Sequence, residues 1–293
     1  MSESVINGVK LYYEIEGEGF PVVFCHEFAG NCRSWKLQVE FFRRNYRVIT
    51  YNARGCPPSG VPADSSLYSQ ELAVEDLRGL LKHLGIGEAH VAGLSMGSSV
   101  ALNFGLAHPG MARSLVLAGI GTGSNDPEPF RHRVRMFADR VEQEGMAGMS
   151  DYPRSPERVQ LLRKHPERWR EFAAQFLAQS STGTARILRG VLGTRPAIFE
   201  LETGLRSLDV PALILVGDED SPCLEPSLFL KRVMPRTGLA VFPRSGHTVN
   251  LEEPELFNRF VLDFLKAVET GDWARSEGGV PEASLVDSTS KTA

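Results

Sequence analysis

A serine flanked by glycines has the residue types and the spacing of a catalytic nucleophile. Positions 93–97 read Gly-Leu-Ser-Met-Gly, with Ser95 at the centre. An apolar run of strand length precedes this motif and a helical pattern follows it, so the serine lies where a strand gives way to a helix. A sharp turn there would lift the hydroxyl above the sheet edge, with glycines where strand and helix approach too closely for side chains. The motif alone is weak, and this context is what favours a nucleophile.

A serine hydroxyl needs a base to accept its proton, because it is a poor nucleophile at neutral pH. Of the 7 histidines, His247 is the best candidate for that base, since it follows a predicted strand at 239–242. Open α/β sheets build their sites in the loops at the carboxyl ends of such strands. His83, His108, His132 and His165 lie in charged helical surroundings and His90 begins a strand, which is typical of surface or structural residues.

A carboxylate that orients the base is predicted in the loop after the preceding strand. Asp218, Glu219 and Asp220 all lie there, and Asp220 is preferred because the other two lie nearer the strand end, where they can serve the turn or face water. The order Ser95, Asp220, His247 matches one of the known orders of catalytic triads. The 27 positions from Asp220 to His247 fit one helix and one strand.

Two backbone N–H groups are predicted to bind the oxyanion that forms during acyl transfer. Met96 begins the helix after Ser95, so its N–H would point towards the substrate oxygen. The second donor should come from the loop after the predicted strand at 21–25. There the N–H of Phe28 is the candidate.

The elements that must position these residues alternate along the chain as short β-rich runs and helical patterns. Strand–helix–strand units of these lengths predict parallel pairing with right-handed crossovers, in an α/β fold. Asn7-Gly8 predicts a hairpin near the start. Between 127 and 207 no convincing strand occurs, and apolar residues recur at helical spacing. That segment accounts for most of the 125 positions between Ser95 and Asp220.

These patterns predict one α/β core interrupted by a helical insertion. The core comprises residues 1–122 and 208–269, and the insertion, a helical cap, comprises residues 123–207. Residues 270–293 are rich in Ser, Gly, Glu and Thr and are predicted to form a flexible tail, in which Trp273 is the one hint of docking.

The chain resembles the α/β-hydrolase fold family, in its capped single-domain form that includes esterases, enol-lactonases and carbon–carbon bond hydrolases. The resemblance covers roughly residues 5–268. It rests on His26 with Phe28, Arg54-Gly55, the motif at 93–97, the acidic loop at 217–220, and Gly246-His247 with Asn250, Glu252 and Pro254. It implies a mostly parallel central sheet of about eight strands with helices on both faces, and a site at Ser95, Asp220 and His247.

Two departures from the family pattern affect the predicted site. Glu27 stands where the family usually has glycine after the histidine, and Asn52 stands where it has aspartate. Glu27 beside the oxyanion donors would repel anionic substrates if it faced inward, or it would simply point to water. His26 and Glu27 are therefore candidate pocket-lining residues.

Composition excludes several classes of partner. With 32 Lys+Arg against 36 Asp+Glu, the net charge of −4 predicts no nucleic-acid binding. The longest uncharged stretch is interrupted by serines, glycines and a proline, which predicts buried structure and no membrane span. The 4 cysteines are scattered, with no Cys-x-x-Cys pair and no signal-peptide pattern, which favours reduced thiols in the cytoplasm. No metal and no cofactor is predicted, and the sequence leaves open whether the protein forms a homo-oligomer.

The function predicted from these residues is a serine hydrolase acting on a small carboxylic ester or lactone, its small-molecule partner. A carbon–carbon bond hydrolase of a β-diketone or ring-cleavage product would use the same three residues. A non-catalytic ligand-binding protein on the same fold is the alternative of another class, because fold and function separate easily.

Overall fold

The fold is an α/β sandwich around one eight-stranded sheet. The computed structural model describes residues 2–273. The strands are β1 (Ser2–Ile6), β2 (Val9–Glu16), β3 (Phe20–Cys25), β4 (Tyr46–Tyr51), β5 (Ala89–Leu94), β6 (Ala112–Ala118), β7 (Ala212–Gly217) and β8 (Thr237–Phe242). Their order in the sheet is β1-β2-β4-β3-β5-β6-β7-β8. Only β2 runs against its neighbours; the pairs from β4 to β8 are parallel. The predicted fold class is confirmed.

Helices follow most of the strands, as the alternating pattern predicts. Within the described residues they are α1 (Lys36–Phe42), α2 (Gln70–His83), α3 (Met96–Ala107), α4 (Pro127–Glu144), α5 (Val159–Lys164), α6 (Pro166–Leu177), α7 (Ser181–Ile187), α8 (Glu202–Ser207), α9 (Ser221–Val233), α10 (Val249–Glu252) and α11 (Pro254–Thr270). Short 3₁₀ turns and one π-helical turn, Leu188–Leu192, join them.

Two hydrophobic cores, one on each face of the sheet, come from the alternation of side chains along the strands. In β3, Val23 and Cys25 pack with α2, α3 and α9, whereas Val22 and Phe24 pack with α1 and α11 on the opposite face. The central strands are apolar on both faces, and every residue of β5 and β7 is buried. Such strands are typical of a parallel sheet covered by helices.

The segment between β6 and β7 is helical, as its spacing predicts. Helices α4 to α8 and several 3₁₀ turns lie there, and the described residues of this segment contain no strand. Val134, Val141, Phe172 and Phe176 from α4 and α6 bury their side chains in a third cluster, which also includes Phe28 from the loop after β3. This third cluster therefore joins the helical segment to the sheet next to the predicted oxyanion loop.

The helix after β7 begins earlier than sequence patterning predicts. From the sequence a helix is expected near 228–234, yet α9 starts at Ser221. Pro222 lies in the first turn, where its missing N–H costs nothing. As a result, Asp220 immediately precedes the helix.

At the end of the described chain, Trp273 docks on the molecule. Its indole N–H donates to the carbonyl of Arg236 at 3.0 Å, and its ring packs edge-on against Phe264 at 4.7 Å between centroids. Thr270, the first residue of the predicted tail, is the last residue of α11. The rest of the predicted tail, residues 274–293, lies outside the described residues.

Two further sequence predictions concern the membrane and the cysteines. In residues 2–273 no helix combines the length and the apolar character that crossing a bilayer requires. Cys25, Cys32, Cys56 and Cys223 are all free and buried.

Candidate active site

Ser95 occupies the sharp turn between β5 and α3. Its backbone has φ 56° and ψ −113°, a conformation that residues other than glycine rarely adopt. A Cβ added to Gly93 would lie 2.2 Å from the carbonyl oxygen of Gly97, and one added to Gly97 would lie 2.0 Å from that of Cys25. Because no side chain fits at either position, the turn requires both glycines.

The three residues Ser95, Asp220 and His247 line one cavity of about 570 Å³. Ser95 follows β5, Asp220 follows β7 and the loop with His247 follows β8, so the parallel strands bring all three to one edge of the sheet. Between described residues the structure has no hydrogen bond from the Ser95 hydroxyl to His247. Such contacts are often long without substrate and tighten when it binds.

Asp220 orients the imidazole of His247. The Nδ1–H of His247 donates to Oδ2 of Asp220 at 2.7 Å, and Asp220 is fully buried. Burial alone would raise the pKa of the Asp220 carboxyl, but the His247 imidazole, the Cys223 thiol and the Arg158 guanidinium together lower that pKa. Asp220 is therefore a carboxylate, and its hydrogen bond leaves Nε2 of His247 as the proton acceptor.

The two other acidic residues of this loop have different partners. Asp218 accepts the N–H of Ser245 at 3.1 Å through Oδ1, which ties the β7 loop to the β8 loop. Glu219 accepts a hydrogen bond from the amide of Gln160. Both residues are exposed. Of the three carboxylates, the structure brings Asp220 to His247.

Cys223 adds a buried thiol to this pair. Its Sγ lies 3.9 Å from Nδ1 of His247 and 3.1 Å from the hydroxyl of Thr122. With Asp220 and His247 it forms a cluster whose donor atoms all lie within 4.8 Å of one another, as a metal site would require. However, burial raises the pKa of Cys223 well above its usual range, so the thiol stays protonated. Metal binding needs the thiolate, and the Asp220–His247 hydrogen bond already occupies the other two donors, so the cluster fits a metal poorly.

The two predicted oxyanion donors lie at the same edge of the sheet. Met96 is the first residue of α3, so its N–H has no partner within that helix. Phe28 lines the cavity, and within the described residues its N–H donates no hydrogen bond. The loop that presents Phe28 is fixed by the N–H of Gly30, which donates to the carbonyl of Glu27 at 3.0 Å.

His26 stabilises this loop and does not line the cavity. Its ring donates from Nδ1 to the carbonyl of Glu27 at 2.7 Å and accepts the N–H of Ala53 at Nε2, at 3.0 Å. Burial lowers the pKa of His26, which keeps the ring neutral, as both bonds require. His26 is therefore not part of the wall of the cavity that holds Ser95, although it lines a small neighbouring cavity with Met96. Its ring joins the loop after β3 to the loop after β4.

Glu27 faces neither the cavity nor water, so both expectations for it are wrong. Its side chain is fully buried, and Oε2 accepts a hydrogen bond at 2.8 Å from Arg158 of the helical segment. The Arg158 guanidinium also stacks on the ring of Tyr152, 4.4 Å from its centroid. A partner 131 positions away thus neutralises the carboxylate beside the predicted oxyanion donor Phe28.

The buried pair of Glu27 and Arg158 yields a stability prediction. Replacing Arg158 with methionine should lower the free energy of unfolding by about 3–5 kcal/mol, because it leaves a buried carboxylate without a counter-charge. The double variant E27M/R158M should recover most of that loss. Urea denaturation measures both. The control is R170M, which breaks an exposed pair with Glu167 and should change stability by less than about 1 kcal/mol. An R158M variant as stable as R170M would contradict this account.

The sequence did not reveal which residue fixes the loop around His247, or which residues form most of the cavity wall. Glu252 is buried and accepts hydrogen bonds from the N–H of Gly246, at 2.7 Å, and from the N–H and hydroxyl of Thr248. It thereby fixes the loop on both sides of His247. The resemblance includes Glu252, five residues after His247, but the sequence assigned no role to it. The cavity wall contains Arg133, Arg158 and Arg195, for which no local pattern existed.

Comparison with known proteins shows which family this chain matches and which solved structures it resembles. Residues 22–260 match the model of the alpha/beta hydrolase family. A 2-hydroxy-6-oxononadienedioate/2-hydroxy-6-oxononatrienedioate hydrolase of Burkholderia vietnamiensis is 32% identical, over 88% of this chain and 91% of that protein. A thermophilic esterase of Thermogutta terrifontis, solved with malate bound, superposes with a TM-score of 0.81 at 29% identity and covers 91% and 98% of the two chains. An enol-lactonase of Burkholderia xenovorans has a TM-score of 0.81 at 23% identity, covers 90% and 100%, and is similar in fold.

Proposed function

The chain belongs to the alpha/beta hydrolase family, and on that premise we propose that it is a serine hydrolase that cleaves a small carboxylic ester or lactone. The observation that carries the proposal is the shared cavity: Ser95 opens into the same space as His247, whose imidazole is held by a buried carboxylate. These are the nucleophile, base and orienting group that acyl transfer requires.

The reaction would proceed in two halves through an acyl-enzyme. The Ser95 hydroxyl attacks the substrate carbonyl while Nε2 of His247 takes its proton, and Asp220 stabilises the imidazolium. The N–H groups of Phe28 and Met96 donate to the oxyanion, each contributing about 2.7–4 kcal/mol. His247 then returns the proton to the departing alcohol. Water, activated by His247, attacks the acyl group and releases the acid and free Ser95.

We also propose that residues 123–207 form a cap over a core of residues 1–122 and 208–269. The cavity supports this division, since Ser95 and His247 come from the core while Val134, Phe137 and Leu188 come from the helical segment. A space of about 570 Å³ between the two admits a small molecule, which favours small esters and lactones over polymers.

Cleavage of a carbon–carbon bond is the second candidate. The observation that favours it is the relative of 32% identity, which is named as a hydrolase of a 2-hydroxy-6-oxo dienedioate. The same three residues would serve, with His247 moving the protons and the oxyanion donors binding the ketone oxygen.

A substrate panel tests the proposal against its alternatives. Purified protein is assayed with activated esters, lactones and β-diketones of matched size. We expect hydrolysis of esters or lactones with acid and alcohol as products. Turnover confined to the diketones would establish carbon–carbon cleavage instead. If the folded protein turned over none of these substrates, that result would favour a binding protein.

A further inference from the structure

Arg195 lines the catalytic cavity and lies close to the nucleophile. It follows the π-helical turn Leu188–Leu192, and its N–H donates to the carbonyl of Val191 at 3.2 Å. Its guanidinium donates to the hydroxyl of Ser99 at 3.0 Å and to the carbonyl of Thr122 at 2.7 Å. Ser99 lies one helical turn after Ser95, a rise of about 5.4–6 Å along α3. The guanidinium is therefore held beside the first turn of the nucleophile helix.

This cation has no carboxylate partner. Between described residues the structure contains no ion pair to Arg195, and its guanidinium contacts a hydroxyl, a carbonyl and the Phe130 ring, 5.5 Å from the ring centroid. Burial lowers the pKa of Arg195 to about 10, and the groups that counteract burial are Cys223 and Tyr152. At neutral pH the guanidinium is thus charged, half-buried and without a counter-ion.

The acidic groups of the cavity are engaged elsewhere or lie towards solvent. Asp220 is bonded to His247, and Glu27, behind the wall, is bonded to Arg158. Asp126 is exposed and Glu157 is half-buried, and neither forms an ion pair with Arg195. Arg133 also lines the cavity and forms no ion pair between described residues, but it is exposed. Among the described residues, Arg195 is therefore the one partly buried cation of the cavity wall that no protein carboxylate neutralises.

We propose that Arg195 binds a carboxylate of the substrate, so that the substrate is an ester or lactone that also carries a free carboxylate. A guanidinium has five N–H donors in a planar fork that matches a carboxylate, and two of the five are already used by Ser99 and Thr122. Since Ser99 is one turn from Ser95, a short carbon chain separates the carboxylate from the scissile carbonyl. This inference rests on the proposed function and specifies its substrate class.

A pair of esters that differ in one charge tests this inference. Monophenyl glutarate carries the free carboxylate, and methyl phenyl glutarate has the same chain with that carboxylate masked. We expect kcat/KM for phenol release to favour the anionic ester in the wild-type protein. In R195Q, kcat/KM for that ester should fall by about 30- to 1,000-fold more than kcat/KM for the neutral ester. R195K, which keeps the charge, should retain part of the preference.

The control variant is R189Q, which removes the same charge from the same segment. Arg189 is bound to Asp139 and Glu142 on the outer surface, so R189Q should leave both substrates unaffected. Equal kcat/KM for the two esters in the wild-type protein would overturn the inference, and so would an equal loss for both in R195Q. Neither result would affect the assignment of Ser95.

Binding of glutarate provides a readout that does not depend on turnover or on the folding of R195Q. Calorimetry of the wild-type protein should detect binding of glutarate. The affinity for glutarate should be at least about 30-fold higher than the affinity for dimethyl glutarate, which is neutral. If neither phenyl ester is hydrolysed, the proposed function fails while this measurement still decides the inference. Equal affinity for glutarate and dimethyl glutarate would refute it.

Discussion

Replacing Ser95 with alanine should lower kcat for an activated ester by about 10⁶-fold and leave the protein folded. In the proposed mechanism the hydroxyl oxygen forms the acyl-enzyme, so its removal would leave only water as nucleophile beside the proposed oxyanion donors. Such a loss corresponds to about 8 kcal/mol of transition-state stabilisation. Steady-state kinetics measures it, and thermal unfolding verifies the fold.

The matched control for S95A is S98A, one turn further along α3. The Ser98 hydroxyl donates to the carbonyls of Gly93 at 2.7 Å and Ala118 at 2.6 Å, so it supports the turn without facing the cavity. We expect S98A to lower the melting temperature and to change kcat by less than about 10-fold, since it removes buried hydrogen bonds only. An S95A protein that retains more than a few per cent of wild-type turnover would exclude Ser95 as the nucleophile.

Replacing Asp220 with asparagine should lower kcat by about 10⁴-fold. The asparagine amide can donate to Nδ1 of His247, which would place the imidazole proton on Nε2. The nitrogen that faces the serine would then have no lone pair for its proton, and the cation formed in the transition state would lose its carboxylate. Pre-steady-state kinetics with an activated ester should show that acylation itself is slowed.

Two neighbouring carboxylates supply the controls for D220N. Asp218 and Glu219 lie in the same loop but are exposed and bonded to Ser245 and Gln160. D218N and E219Q should each keep kcat within about 5-fold of wild type, because neither contacts the imidazole and surface changes have small effects. A larger loss in D218N than in D220N would reassign the acid.

The fold, and the placement of Ser95, Asp220 and His247 at one edge of the sheet, could be predicted because their signals are local. Alternating strand and helix patterns determine a parallel sheet, and a parallel sheet brings the loops after β5, β7 and β8 to one edge. The glycines at 93 and 97 mark the turn at Ser95, since a Cβ at either would overlap backbone atoms. The start of α9 at Ser221 was not predicted: a helix was expected only near 228–234, and Pro222 and Pro226 both lie in the part of α9 that precedes residue 228.

The charges around the site could not be predicted, because they depend on contacts between distant segments. Glu27 was expected at the pocket or in water, yet it pairs with Arg158. Arg195 reaches Ser99 across 96 positions of sequence. Helical periodicity in residues 123–207 predicts which faces are apolar, but it does not indicate which polar side chain meets which partner on the core.

Covalent labelling most directly tests whether the hydroxyl at 95 is activated. The folded wild-type protein is treated with a fluorophosphonate, and the adduct is located by peptide mass mapping. Our account predicts a single adduct, on Ser95, formed at a rate that drops sharply in H247A. Labelling of a different residue, or an unmodified Ser95 after prolonged exposure of the folded protein, would contradict it.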